Sequence, residues 1–229
     1  MIRIYHRPRT RSMRIIWLME ELGEPYEVEQ VSLPLDKSLL EKNPEGTLPF
    51  IEDDGIVMAE SGAILQYITG RRLPASFSVT IGPNPDPGAY AAHLQFLHLG
   101  ESSLAAALMP ILLTQKFAPD DRQKNVTMDI CADLFTRRLR PVEQRLADGR
   151  AWLMGDKFTI ADISVGFAIG FAEHVGLGDR LNEHVRAYHA RLRARPAYKR
   201  AAASGENHSG SPAHERRARH GDMRSGGSR

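Results

Sequence analysis

Strand-like and helix-like segments alternate over the first 70 residues, and then the strands stop. "IRIY" (2–5) is a β-branched run suited to a strand. "SMRIIWLMEELG" follows with Ile15, Leu18, Met19 and Leu22 at helical spacing and Gly23 as a stop. "YEVEQV" (26–31) alternates like a half-buried strand, and Asn43-Pro44 and Gly46 then break the chain. "PFIE" and "IVMA" flank Asp53-Asp54-Gly55, a hairpin signal, and helical spacing returns from Ser61 to about Gly70. The order β-α-β, irregular segment, β-β-α predicts a mixed sheet with helices packed on it.

Residues 71–88 carry prolines at 74, 83, 85 and 87 and read as a linker. No convincing strand follows. "AYAAHLQFLHLGESSLAAALMPILL" aligns Leu94, Leu97, Glu101, Leu104 and Leu108 on one helical side. "NVTMDICADLFTRRLRPVEQRL" continues the period, with Pro141 expected to kink or split it. In "FTIADISVGFAIGF", Thr159 and Asp162 form a capping box, with Phe158 placed to staple onto Ile163. The helix it opens is apolar nearly all round and belongs at a domain centre, so Asp162 reads as a group tied to backbone amides. From Ala201 onward there is no Ile, Leu, Val or aromatic residue, and this tail is expected to be disordered. The division is therefore 1–71, an α/β domain; 72–88, a linker; 89–200, an all-α domain; and 201–229, the tail.

Composition excludes several function classes. The tail's five arginines against three acids leave 25 side chains of each sign in the rest, so the body is neutral and nucleic acid is not an expected partner. No apolar run approaches the roughly 18 residues of a membrane helix, so no membrane association is expected. "MIRIYHRPRTR" lacks an apolar signal core, and a single cysteine precludes internal disulfides, both of which suit a reducing cytoplasm. The nine histidines show no ligand spacing, so no metal is implied, and His93 and His98 read as packing or surface residues.

The chemistry concentrates in "TLPFIEDDGIVMAESGAI" (47–64). Proline opening a strand cannot donate to the ladder. With a cis Leu48–Pro49 bond, the Leu48 N–H and C=O would face outward and pair with an extended peptide laid along the edge. Ser61, read as the N-cap of the next helix, offers its hydroxyl and the first free amides to an anion, while Glu60 can take an ammonium. A ligand with an α-amino acid head group would use all three features. The plainer reading is a cap and a common hairpin.

"IYHRPRTRSMRIIWLMEELGEPYE", "NPEGTLPFIEDDGIVMAESGAILQYI" and "WLMGDKFTIADISVGFAIG" together resemble a cytosolic glutathione S-transferase of the bacterial type, in order and spacing, over about residues 1–200. The resemblance implies a thioredoxin-like N-terminal domain, an all-helical C-terminal domain, a homodimer and glutathione as co-substrate. The γ-glutamyl head would lie at Glu60 and Ser61, and the cysteine would pair with Leu48 before cis-Pro49. Relatives often have Lys or Arg where this chain has Thr47, which offers the glycyl carboxylate a hydrogen bond without the charge.

A transferase raises the thiolate fraction of a thiol whose pKa is about 8.5. In hydroxyl-using classes the catalytic serine lies four residues before the arginine of the first helix. From Arg14, that spacing lands on Thr10, just before a helix N-terminus. Thr10 is the first choice, Ser12 the second (it can also simply cap or begin the helix) and Tyr5, read as a buried strand residue, the third. Arg7, Arg9 and Arg11 read either as a positive field at the thiol or as solvated side chains. Glu101 reads either as a reach toward the neighbouring subunit's γ-glutamyl ammonium or as a solvated helix face. Cys131 reads as a buried structural cysteine. The expected function is conjugation of glutathione to a small electrophile. The rivals are a glutathione-dependent disulfide or peroxide reductase and a non-catalytic binding module of the same fold.

Overall fold

The computed structural model describes residues 1–72 and 87–204. The N-terminal unit runs β1 (Ile2–His6), α1 (Ser12–Leu22), β2 (Tyr26–Gln30), α2 (Lys37–Lys42), β3 (Phe50–Asp53), β4 (Ile56–Ala59) and α3 (Ser61–Arg72). The sheet order is β2-β1-β3-β4, with β1 parallel to β2 and antiparallel to β3, and β4 antiparallel to β3. This is the mixed sheet expected, and its central strands carry the fully buried Ile2, Ile4, Phe50 and Ile51. Asp54 and Gly55 both have positive φ (51° and 85°), as a tight two-residue hairpin turn demands. Gly23, at φ 68°, closes α1 and sends its N–H to the Met19 carbonyl (3.0 Å).

The C-terminal unit is helical: α4 (Pro87–His98), wider π-helical turns over Leu99–Ala105, α5 (Ala106–Phe117), α6 (Val126–Leu146), α7 (Ile160–His174), α8 (Glu183–Ala194) and α9 (Pro196–Ala203). At the domain centre, α7 packs on α4 and on the wide turns. Its capping box is present, with Thr159 and Asp162 engaged reciprocally. Trp17, on α1, joins the two units: its indole meets Tyr198 edge-on (4.9 Å between ring centroids) and lies 5.7 Å from Phe158. Arg195 pairs with Glu21 (2.6 Å) and Arg200 with Glu20, fastening α9 to α1.

Four expectations need correction. Pro141 does not split α6, which continues through it to Leu146; the packing of Phe135, Leu139, Val142 and Leu146 into the core holds the helix across the lost N–H. Secondly, against the expectation that no apolar run approaches the length of a membrane helix, α4, the wide turns and α5 join into one 31-residue helix, Pro87–Phe117, long and apolar enough to cross one by length and composition alone. Here its Phe96, Leu97, Leu104, Leu108 and Ile111 are buried in the helical core. Thirdly, residues 201–203, expected in the tail, belong to α9, and Ala201 is buried; residues 205–229 lie outside the described residues, as does the linker apart from Arg72, Pro87 and Gly88. The fourth concerns Ser61 and belongs to the site.

Candidate active site

The loop leaving β1 carries three arginines, and it turns tightly. Arg9 adopts φ 63°, and the Thr10 N–H donates to the Arg7 carbonyl (3.3 Å). The Met13 and Arg14 N–H groups then donate to the Thr10 and Arg11 carbonyls (3.2 and 3.0 Å), which starts α1. Thr10 is thereby half-buried immediately before the helix N-terminus, where the dipole favours negative charge. Its hydroxyl donates to the Arg7 carbonyl (2.8 Å) and lies 2.6 Å from the Ser12 hydroxyl.

The other two candidate hydroxyls are placed differently. Ser12 is fully buried at the first turn of α1, with its Oγ 2.7 Å from Nδ1 of His6. Tyr5 is buried in a separate small cluster with Leu35, Leu39, Leu48 and Phe50, stacked on Phe50 at 3.9 Å. Its hydroxyl donates to Glu52 (2.8 Å) and accepts from Lys42 (3.2 Å), and burial raises its pKa.

The Leu48–Pro49 peptide is cis at the entrance to β3, just before Phe50, which pairs with Tyr5 near the end of β1; Leu33–Pro34 is cis as well. Thr47 is exposed, its hydroxyl near Glu45 (3.3 Å), and its carbonyl accepts from Asn43 (2.8 Å). Glu60 is exposed and sits at φ 66°, a conformation costing a non-glycine residue about 1–3 kcal/mol. The Glu60 carbonyl accepts the Ile64 N–H (2.9 Å), so Glu60 occupies the capping position and Ser61 is the first helical residue. This corrects the reading of Ser61 as the cap. Its hydroxyl instead accepts from Arg14 Nη1 at 2.9 Å.

Arg14 is the residue that sequence reasoning missed. It entered only as a marker of spacing, yet its side chain is fully buried and connects three elements. Nη1 reaches both Ser61 and Glu101 Oε2 (2.6 Å), and the guanidinium lies 4.5 Å over the Phe167 ring of α7. Burial lowers its pKa to about 10, leaving it charged at neutral pH. A signal was present: an arginine inside "MRIIWLM", where nearly every neighbour is apolar, has no solvent face to occupy.

Glu101, on the wide turns, accepts from Arg14 and from Arg11 Nε (2.8 Å), while Arg11 Nη1 touches the Met109 sulfur (3.7 Å). Burial works to raise the Glu101 pKa, but Arg11 and Arg14 outweigh it and the net shift is downward. Arg11 is therefore paired and not simply solvated, and Glu101 is engaged within its own chain. The wide turns are held by Gly100 against Ser164, whose hydroxyl donates to the Leu97 carbonyl (2.8 Å). Cys131 is buried in α6, His93 is buried and His98 exposed. Among the described residues no three His, Cys, Asp or Glu side chains converge as a metal site would require.

Comparison with known proteins bears on this geometry. The family model for the glutathione S-transferase N-terminal domain matches residues 5–74, and that for the C-terminal domain matches 126–201, together more than half of the chain. Glutathione S-transferase 3 of Schizosaccharomyces pombe is 25% identical over 220 residues, covering 88% of this chain and 87% of its own. A glutathione transferase structure from Methylococcus capsulatus is 27% identical with a TM-score of 0.72, over 90% of this chain and 99% of that one. A third, from Burkholderia graminis, carries two glutathione molecules per subunit; it is 26% identical with a TM-score of 0.73, over 90% and 89% of the two chains.

Proposed function

The chain belongs to the glutathione S-transferase family, and we propose that it binds glutathione between the Thr10 loop, the Leu48–Pro49 edge and the Glu60–Ser61 turn, and conjugates the glutathione thiolate to a small electrophile. The observation that carries this reading is Thr10, half-buried at the N-terminus of α1 with a hydroxyl able to turn toward a sulfur. Leu48 pairs with the cysteinyl backbone, Ser61 and the amides that follow it take the γ-glutamyl carboxylate, and Glu60 takes the ammonium. Thr47 is the side chain at the glycyl end. Arg9 and Arg11 supply positive charge near the sulfur, and Glu101 fixes Arg11 and Arg14.

The Thr10 hydroxyl donates to the thiolate, which lowers the thiol pKa, and the thiol proton leaves to solvent. A sulfur lone pair then forms the C–S bond while the leaving group departs with its bonding pair. Holding both reactants in the cleft supplies the rest of the acceleration. The enzyme works as a cytoplasmic homodimer, in keeping with a detoxifying role. The two apolar residues Ile56 and Val57, exposed on β4, suit a subunit contact.

The test is calorimetric titration of glutathione, followed by conjugation of 1-chloro-2,4-dinitrobenzene. Wild type should bind and react. Ser61→Ala should weaken binding, and Thr10→Ala should keep binding but lose thiolate absorbance. No binding at millimolar glutathione would defeat the proposal. Binding without turnover would favour the non-catalytic module.

A second reading rests on the Burkholderia graminis relative with its two glutathione molecules per subunit. A site that holds a pair would suit attack of the thiolate on a disulfide sulfur, forming a mixed disulfide and releasing the other thiolate. Consumption of a disulfide substrate without thioether product would select it.

A further inference from the structure

Behind the half-buried Thr10 a chain of polar atoms runs inward. Thr10 Oγ1 lies 2.6 Å from Ser12 Oγ, and Ser12 Oγ lies 2.7 Å from His6 Nδ1. Only Thr10 is near solvent; Ser12 and His6 are buried at the end of β1 and the start of α1. The Arg7 carbonyl competes for the same protons, 2.8 Å from Thr10 Oγ1 and 3.4 Å from Ser12 Oγ.

Counting protons decides what the chain can do. Each hydroxyl has one proton to give and two lone pairs to receive with. If His6 Nδ1 is bare, it draws the Ser12 proton inward. Thr10 then receives nothing from Ser12, and its own proton stays with the Arg7 carbonyl. If Nδ1 carries the imidazole proton, it donates to Ser12 and Ser12 donates to Thr10. Thr10 is then an acceptor toward Ser12, its own proton can leave the Arg7 carbonyl for a bound sulfur, and each bond polarises the next, by roughly 10–30% per link in condensed-phase estimates.

We propose that Ser12 and His6 are positioning residues for the Thr10 hydroxyl, forming a directed relay from His6 Nδ1–H through Ser12 and Thr10 to the sulfur of bound glutathione. No covalent bond is made or broken in the relay, and no proton leaves its heavy atom. This rests on the reading of Thr10 as the sulfur's hydrogen-bond donor. It gives a reason for burying a serine and a histidine together beside a half-buried hydroxyl. Ser12 as a plain helix starter would need neither neighbour.

The test reads glutathione binding by calorimetry and thiolate absorbance at neutral pH with glutathione saturating. Ser12→Ala should keep the binding constant within about twofold and raise the pKa of the bound thiol, read from thiolate absorbance against pH, by about half a unit or more, which lowers the absorbance at neutral pH. His6→Phe should do the same. His6→Asn, whose amide N–H₂ can replace the Nδ1 donor, should retain most of the signal. Should His6→Phe fail to fold, Ser12→Ala and His6→Asn still decide. Full thiolate absorbance in Ser12→Ala, or a loss in His6→Asn as large as in Ser12→Ala, overturns the relay. A wild type that binds no glutathione overturns the proposed function and the relay with it, a result distinct from a binding wild type whose Ser12→Ala variant is undiminished.

Discussion

The carboxylate of Glu101 meets the buried guanidinium of Arg14 at 2.6 Å, joining α1 to the wide turns across 87 residues of chain. Removing Arg14 leaves Glu101 its contact with Arg11 and part of its solvent access, so what is lost is a charged hydrogen bond and the packing of a buried side chain. Arg14→Ala should therefore destabilise the protein by about 1–3 kcal/mol. It should also weaken glutathione binding through the loss of the Ser61 contact. Urea midpoints with calorimetry on the same preparation check both. Arg14→Lys should recover part of the stability but not both contacts, since a point-charge ammonium lacks the guanidinium's fork.

The same pair has a pH signature. Arg11 and Arg14 hold the Glu101 carboxyl below its unfolded value, so its contribution is fully present above the ordinary glutamate range and is lost as pH falls through the folded pKa. The stability gap between wild type and Glu101→Gln should be widest at neutral pH and should close in acid. A gap that stays constant down to about pH 2, well below the ordinary glutamate pKa, would deny the pair this role.

How much of this was written plainly in the chain depends on the kind of signal. Period-2 and period-3.6 patterns placed β1 to β4 and the main helices, because each buries one face and the spacing records it. Leu48-Pro49 and Glu60-Ser61 were legible as adjacent pairs. What escaped was the arrangement assembled from distant segments. Arg14, Ser61 and Glu101 converge only when α1, α3 and the wide turns are packed, and nothing in "LGESSLA" announces turns wider than an α-helix. His6 ends a strand of apolar neighbours, and only the tight loop to Ser12 brings the two side chains together. Pro141 misled because local propensity was weighed without the packed apolar face that sustains α6.

Asp162 tests the structural reading of the capping box. Its carboxylate accepts from the Leu153 N–H (2.9 Å), the Thr159 N–H (2.8 Å), the Thr159 hydroxyl (3.1 Å) and the Tyr188 hydroxyl (2.8 Å). Burial pushes the carboxyl up and these donors pull it part of the way back, leaving it at about 6, so the anion is the accepting form at neutral pH. Asp162→Asn places an amide N–H₂ against donors. It should cost about 3 kcal/mol or more in stability, well above the usual surface substitution. Any glutathione site in the surviving folded fraction should be intact, so a large loss of affinity per folded molecule would contradict the assignment.

His93 predicts a second pH dependence, from α4. It is buried, its Nδ1 has no hydrogen-bond partner among the described residues, and desolvation lowers its pKa to about 4. The folded state therefore stays neutral where the unfolded chain, at about 6.5, already takes up a proton. Stability is present above 6.5 and falls as pH drops toward 4, by at most about 3 kcal/mol over that window. His93→Met removes the titration, and its stability should lack that acid slope. Equal slopes in the two proteins, measured from denaturant midpoints at several pH values, would show that His93 titrates alike in both states.

Gly100 tests whether the wide turns matter to the site. A Cβ built there would lie 2.4 Å from Ser164 Oγ and 2.6 and 2.7 Å from the Ser164 backbone C and O, so no rotamer change relieves it. Gly100→Ala must push α7 away from the helix that carries Glu101, at a cost of about 1–3 kcal/mol for an overpacked contact. Because Glu101 is the next residue, its grip on Arg11 and Arg14 should loosen, and glutathione affinity should fall together with stability. Ser164→Ala removes only the nearest of the three atoms and should not restore Gly100→Ala. A Gly100→Ala protein with lowered stability but unchanged glutathione affinity would show that the turns support the fold without positioning the arginines.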